Sequence, residues 1–391
     1  MATPKLRFKE FDGDWNQVKI SDYSNTVTSG SRDWAQYYSD KGDKFIRMTN
    51  LVRDGIYLDL SDLRFVDLPK DSNEGKRTSL QSGDILISIT AELGKLGWIN
   101  SDLGTAYINQ HTALVRMNEN VDSKFVAYTL STEKYNNKLN NLNDSGAKAG
   151  LNLGTIRNFE LTIPQKKEQT KIASFLSSVD EKISQLNQKH ELLSQYKQGM
   201  MQKLFSQKIR FKADDGSEFE EWENLYIGDL CKITTGNKDT QNKVNNGAYP
   251  FFVRSQTVEQ INSYSMDCEA VLTSGDGVGV GKNYHYINGK FDFHQRVYCL
   301  YNFSEIVLGK YLYIYFSSFF YDRVKRLSAK NSVDSVRMDM ISKMQIQLPC
   351  LEEQIKISNF FSAIDQKIEV VAQQIEQANQ WKKGLLQQMF V

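Results

Sequence analysis

Cysteine, histidine and unbalanced charge are all scarce in this chain, and each shortage removes a class of protein. Only four of its 391 residues are cysteine. Cys231, Cys268, Cys299 and Cys350 stand far apart and never as C-x-x-C, which argues against a disulfide framework or a zinc knuckle and fits a reducing compartment. The four histidines, His111, His190, His285 and His294, show no metal-ligand spacing, so no metal is expected. Lys and Arg total 48 against 47 Asp and Glu, a net charge of +1. A nucleic-acid role would therefore need its cations gathered on one face. No apolar run reaches the length of a membrane span, and the opening MATPKLRFKEFDGDW lacks the apolar centre of a signal peptide. The expectation is a cytoplasmic protein with no membrane partner.

Catalytic signatures are missing too. The glycine run Gly275 to Lys282, GDGVGVGK, resembles a phosphate loop only loosely: Asp276 occupies the position six before Lys282, and Asn283 follows the lysine where Ser or Thr is required. It reads instead as a strand-to-strand loop. There is no G-x-S-x-G, no H-E-x-x-H and no adenine-methyltransferase Asn/Asp-Pro-Pro-Tyr motif. A nuclease pattern is obtained only by forcing helix residues such as Asp180 and Lys182 into it. The chain reads as non-catalytic, with no cofactor of its own.

What the chain does contain, it contains twice. Pro164 to Phe205 returns as Pro349 to Phe390 at a constant offset of 185 residues, repeating Glu168/Glu353, Gln169/Gln354, Lys171/Lys356, Asp180/Asp365 and Gly199/Gly384. In each copy apolar residues step by three and four, through Ile172, Leu176, Val179, Ile183, Leu186, Leu193, Tyr196, Met200 and Leu204, and through Ile357, Phe361, Ile364, Ile368, Val371, Ile375, Ala378, Trp381, Leu385 and Met389. That spacing predicts a long helix with a narrow coiled-coil seam, headed by a proline in its first turn. At ~1.5 Å per residue each helix is about 60 Å long, too long for one small domain, and two such helices most simply pair with each other. His190 falls on the seam and reads as a packed histidine.

Upstream the duplication continues. Lys5-Leu6-Arg7-Phe8 returns as Lys208-Ile209-Arg210-Phe211, Trp15 as Trp222, Thr28-Ser29-Gly30 as Thr235-Gly236-Asn237, and Phe45-Ile46-Arg47 as Phe252-Val253-Arg254. The offset is 203 at the start and 185 at the end, so the first copy carries 18 extra residues, placed between Arg47 and Ile85. The apolar, β-branched run that opens at Gly83, GDILISITAELGKLGWI, reads as a buried strand followed by turns at Gly94 and Gly97, and Ala106 to Met117 and Phe291 to Leu300 alternate as strands do. The fold expected is α+β, a tandem duplication with pseudo-twofold symmetry: two similar, mainly β domains at 1–163 and 208–348, with long helices at 164–207 and 349–391 pairing as an antiparallel coiled coil.

The duplicated Trp15/Trp222, the Gly83-Asp84-Ile85-Leu86 run, the repeated Pro-x-x-x-Glu-Gln-x-Lys-Ile and the Phe175-to-Ile183 segment Phe-Leu-Ser-x-Val-Asp-x-Lys-Ile together resemble the specificity subunits of type I restriction-modification systems. The second copy departs in having Glu269-Ala270-Val271-Leu272 for Gly-Asp-Ile-Leu. The resemblance implies two target-recognition domains, each reading half of a bipartite site on double-stranded DNA. It implies helices that act as a ruler and dock two modification subunits carrying S-adenosylmethionine. Restriction subunits, with ATP and Mg, would complete the larger complex.

Candidate base contacts are polar side chains in the repeated loops: Arg47, Thr49, Asn50, Gln110 and His111, then Arg254, Ser255, Gln256, His294, Gln295 and Arg296. Lys95, Lys148, Lys282 and Lys330, beside small loop residues, suit phosphates. Helix pairing and partner docking fall to Ile172, Phe175, Leu176, Val179 and Ile183, and to Ile357, Phe360, Phe361, Ile364 and Ile368. Two rival readings are a stand-alone DNA-modifying enzyme (an orphan nuclease or methyltransferase) and a coiled-coil adaptor that does not bind DNA.

Overall fold

A computed structural model describes residues 3–69, 75–142, 150–277, 279–327 and 335–391. The chain forms two compact units, Met1–Gln188 with Gln373–Val391, and Lys189–Ala372. Both long helices are present, Lys166–Phe205 and Leu351–Met389. Pro164 and Pro349 stand two residues ahead of them rather than inside the first turn. There their carbonyls accept hydrogen bonds from the Gln169 and Gln354 side chains, both at 2.8 Å.

In the first unit, Asn16–Lys19 pairs antiparallel with Glu160–Ile163, the strand that leads into the first long helix. A four-stranded sheet runs Ser24–Ser29, Thr112–Met117, Ile85–Ser88, Leu96–Trp98, and a second runs Tyr38–Ser39, Arg64–Val66, Asp43–Ile46, Ala106–Ile108. Ile85–Ser88 is buried at every position, its three apolar residues suiting a central strand and the Ser88 hydroxyl satisfied by the Glu92 carbonyl. Helices Ser123–Ser131 and Glu133–Asn141 follow the sheets.

The second unit repeats this plan with one fusion. Glu223–Tyr226 pairs with Gln345–Leu348, and a six-stranded sheet runs Lys232–Thr235, Val297–Tyr301, Met266–Ser274, Tyr284–Phe293, Tyr249–Phe252, Val258–Ile261. The ten-residue strand Tyr284–Phe293 does the work of both Leu96–Trp98 and Ala106–Ile108, pairing antiparallel with Met266–Ser274 and parallel with Tyr249–Phe252. In the first unit the same ribbon is broken by the turn at Ser101–Leu103 and by Gly104, whose φ of 71° suits glycine. The segment Gly275 to Lys282 joins two antiparallel strands, as its sequence predicts; Val278 lies outside the described residues.

Helix pairing is antiparallel within each unit. In the first, Phe175 meets the edge of Trp381, and Asp180 pairs with Lys382. In the second, Phe360 meets Tyr196, and Asp365 pairs with Lys197. The seam residues do more than pair. Ile172, Leu176, Val179 and Ile183 share one core with Trp15, Phe125, Leu385, Met389 and Phe390. Ile357, Phe361 and Ile364 share another with Leu204, Phe205, Trp222 and Tyr311. Each helix half thus buries a face wider than a two-helix seam, because it also roofs its own β unit.

The repeated Glu-Gln motif explains itself here. Glu168 and Glu353 are fully buried. Glu168 receives Arg7 through Nε at 2.8 Å and Nη2 at 2.7 Å; Glu353 receives Arg210 at 3.2 and 2.7 Å and the Trp222 indole at 2.8 Å. Gln169 accepts from the Asp122 backbone N–H, and Gln354 from that of Leu308, both at 2.9 Å. Each long helix is therefore locked at its start to the segment that opens its unit and to the loop just ahead of an earlier helix, Ser123–Ser131 or Gly309–Leu327. Asp180 accepts from the Tyr128 hydroxyl and from Lys382, each at 2.5 Å, which ties the first long helix to its own unit and to the second long helix.

Candidate nucleic-acid interface

Two glycines shape the candidate interface. In the first unit Gly30 ends the strand Ser24–Ser29 and lies against the backbone of Ile108; in the second, Gly236 lies against Phe293 in the same way. A Cβ at either place would collide with a main-chain carbonyl, so only glycine lets the chain pass this close. That approach brings the post-strand loop beside a tight turn, with Ser31 bridged to Asn109 and Lys238 bridged to His294. The turn then holds the next loop. Ile89 N–H donates to the His111 carbonyl at 3.0 Å, and Gly275 N–H donates to that of Arg296 at 2.7 Å. A fourth segment closes the set, Leu151 N–H reaching Ile89 and Val336 N–H reaching Gly275. The strands Asp43–Ile46 and Tyr249–Phe252 end at the same place, because each runs parallel to the strand before the turn. Each unit so presents one loop-built end, with the turns 109–111 and 294–296 at its centre.

Most of the expected base-contact residues fall there, in two settings. In the second unit Arg254 Nη1 lies 3.1 Å from Asp276 Oδ1, and Arg296 Nε lies 3.7 Å from Oδ2 of the same carboxylate. Gln295 and Arg296 are exposed on the turn, and Gln295 donates to Asp239 at 3.3 Å. Gln256 is exposed; Ser255 lends its carbonyl to His285 Nε2 at 3.0 Å. Lys282 is exposed, its ammonium over the Tyr321 ring. In the first unit His111 is hydrogen-bonded to Thr90 at 2.8 Å and to Gln110 at 3.0 Å. Thr49 is exposed. Lys148 and Lys330 lie outside the described residues.

Several of the expected residues are committed to the protein itself. Asn50 is 1% exposed, and its side chain is consumed by Arg47 N–H, the Asp59 carbonyl and the Asp62 carbonyl. It shapes the extra loop of the first unit rather than meeting a base. Arg47 is tied to Asp62 in the same loop at 2.7 Å, and Lys95 pairs with Glu92. His294 is buried and accepts from the Arg296 N–H through Nδ1 at 2.9 Å, which places its proton on Nε2. Burial, with Arg254 nearby, pushes its pKa down and keeps the ring neutral. It sets the turn from beneath. Of the helix residues, Ile172, Leu176, Val179, Ile183, Ile357, Phe361 and Ile364 are buried within their own units and offer a partner no surface. The helices keep half-exposed rings, Tyr196 at 51% and Trp381 at 54%, leaning on Phe360 and Phe175 respectively, beside exposed aliphatic residues such as Leu192 and Ile355.

The sequence missed Lys238, Asp239, Thr90 and Asp276. Asp276 was visible only as the residue that spoils a phosphate loop, since its importance comes from two arginines far away in the chain. Among the described residues no three His, Cys, Asp or Glu side chains gather as metal ligands, and no helix is long and apolar enough to cross a membrane.

Comparison with known proteins decides between the readings. A family model described as the type I restriction modification DNA specificity domain matches residues 12–195 and again 219–380. The chain belongs to the type I DNA specificity family. It is 24% identical over 423 aligned positions to the MjaVIII specificity subunit of Methanocaldococcus jannaschii, covering 97% of this chain and 94% of that one. It is 29% identical to the EcoDI specificity subunit of Escherichia coli over 170 residues, a match spanning 43% of this chain but only 36% of that subunit. Its fold resembles the crystal structure of the M. genitalium specificity subunit, with a TM-score of 0.71 at 14% identity over 100% of this chain and 99% of that one. Specificity subunits supply recognition rather than chemistry, so the orphan-enzyme reading is set aside, and so is that of an adaptor without DNA.

Proposed function

We propose that each unit reads one half of a bipartite DNA site with its loop-built end. The observation that carries this is the duplicated clamp around turns 109–111 and 294–296. The clamp is the same in both units and each turn carries a glutamine, Gln110 or Gln295, while the side chains around it differ: His111 with Thr90 in one, Arg296 and Arg254 with Asp276 in the other. A constant frame with variable polar tips is what two different half-sites require, since phosphate contacts position and base contacts specify.

Docking of two modification subunits is assigned to the helix surface around Phe8, Phe175 and Trp381 and its repeat Phe211, Phe360 and Tyr196, where half-exposed rings meet edge to face. Interface anchors are commonly aromatic. Those subunits would carry S-adenosylmethionine, restriction subunits would bring ATP and Mg, and the whole would work on DNA in the cytoplasm. Methylome sequencing of cells making the partner subunits with and without this chain tests the reading. A bipartite methylated motif that appears only with the chain supports it; an unchanged methylome refutes it.

A further inference from the structure

Resting on that reading, we infer that Arg296 and Asp276 together read a single G·C base pair in the half-site of the second unit. Arg296 stands on the exposed turn with its side chain 67% open, and its Nε faces Asp276. With Nε so directed, the outer edge of the guanidinium presents two parallel donors. Asp276 is itself held in place: its backbone bridges to Ser335, the preceding Gly275 donates to the Arg296 carbonyl at 2.7 Å, and Val336 donates to the Gly275 carbonyl at 2.7 Å. The Tyr298 hydroxyl closes the same loop by donating to the Val336 carbonyl at 3.1 Å. Arg254, at 3.1 Å on the other carboxylate oxygen, offsets the charge of Asp276 as it approaches DNA.

Side by side, the pair offers donor, donor, acceptor. Across the major groove a G·C pair shows guanine N7 and O6 as acceptors and then the cytosine N4 donor, the complementary order. An A·T pair shows acceptor, donor, acceptor, which sets donor against donor and acceptor against acceptor. Among the described residues the first unit has no such couple at the matching place: Gln110 and His111 occupy the turn, and Thr90 holds the position of Asp276 through its bridge to Gly150. The requirement is accordingly confined to one half-site.

The test is methylome sequencing with the full complex carrying the wild-type chain, Arg296→Gln, Arg296→Lys or Asp276→Asn. The wild type should require one G·C pair in one half-site. Arg296→Gln should relax that position alone, discrimination falling by about five- to 150-fold, and Asp276→Asn should relax the same position. Arg296→Lys, which keeps the charge but replaces the planar fork with a single ammonium that can still donate to guanine, should lower discrimination less than Arg296→Gln. Retention of the wild-type preference in Arg296→Gln would mark a phosphate contact only and overturn the inference. If Arg296→Gln gives no methylation, Asp276→Asn decides, since it keeps both arginines: unchanged discrimination overturns the proposal. A wild-type complex without chain-dependent methylation would instead refute the functional reading beneath it.

Discussion

The two glutamate locks are alike in sequence but unequal in bonding, which gives a quantitative test of the structure. Glu353 takes two bonds from Arg210 and one from Trp222, whereas the Trp15 indole of the first unit is buried without a hydrogen-bond partner. Breaking a buried ion pair by removing one member costs about 3–5 kcal/mol. Arg210 keeps 18% of its side chain exposed and Arg7 keeps 15%, so both guanidiniums regain some water and the lower end of that range applies. Glu353→Ala additionally strands the Trp222 N–H, worth about 1–3 kcal/mol, while Glu168→Ala strands no indole, since that of Trp15 has no hydrogen bond to lose. The expectation is a loss of about 3 kcal/mol for Glu168→Ala and about 4–6 kcal/mol for Glu353→Ala. Urea unfolding of the full chain, with hydrogen exchange assigning each loss to its unit, measures both. Equal losses, or losses below about 1 kcal/mol, would show that the glutamates do not lock the helices as argued.

Three further outcomes follow from the same geometry. Burial holds the His285 pKa below its usual value, so between that lowered pKa and the unfolded value of about 6.5 the unfolded chain binds more protons. The stability this gives the second unit is present above pH 6.5 and lost as pH falls, and His285→Gln should flatten the slope in acid-unfolding curves. Asp180→Asn, beside a Lys382 only 16% exposed, should cost about 2–3 kcal/mol; Asp365→Asn, at a half-exposed pair, should cost under about 1 kcal/mol in the same unfolding assay. The double change Tyr196→Ala and Trp381→Ala should leave the melting temperature within a few degrees yet weaken recruitment of modification subunits in size-exclusion chromatography. Undiminished recruitment would move the docking surface elsewhere.

The duplication, the helices and the strands beside them were legible because their signals are local: a fixed offset, steps of three and four, and buried runs such as Ile85 to Ser88. Pairing of Glu168 with Arg7 was not, since a motif does not announce a partner 161 residues away. Tyr196 and Trp381 belonged to the apolar seam by spacing, but they stand half exposed because each helix turns its buried face toward its own β unit as well as toward the other helix. At the candidate site the matched Gln110 and Gln295 fall on equivalent turns, as their alignment in the sequence implies. Asn50 and His294 are different, because their polarity serves backbone groups beneath the surface. A polar residue in a loop sequence looks the same whether it faces solvent or its own main chain.

The central claim, two separable readers on one chain, is tested most directly by exchanging residues 208–348 for the matching segment of a relative with a different target and sequencing the methylome. The account predicts that one half-site changes to the relative's while the other keeps its sequence. A change in both halves, or in neither, would contradict it.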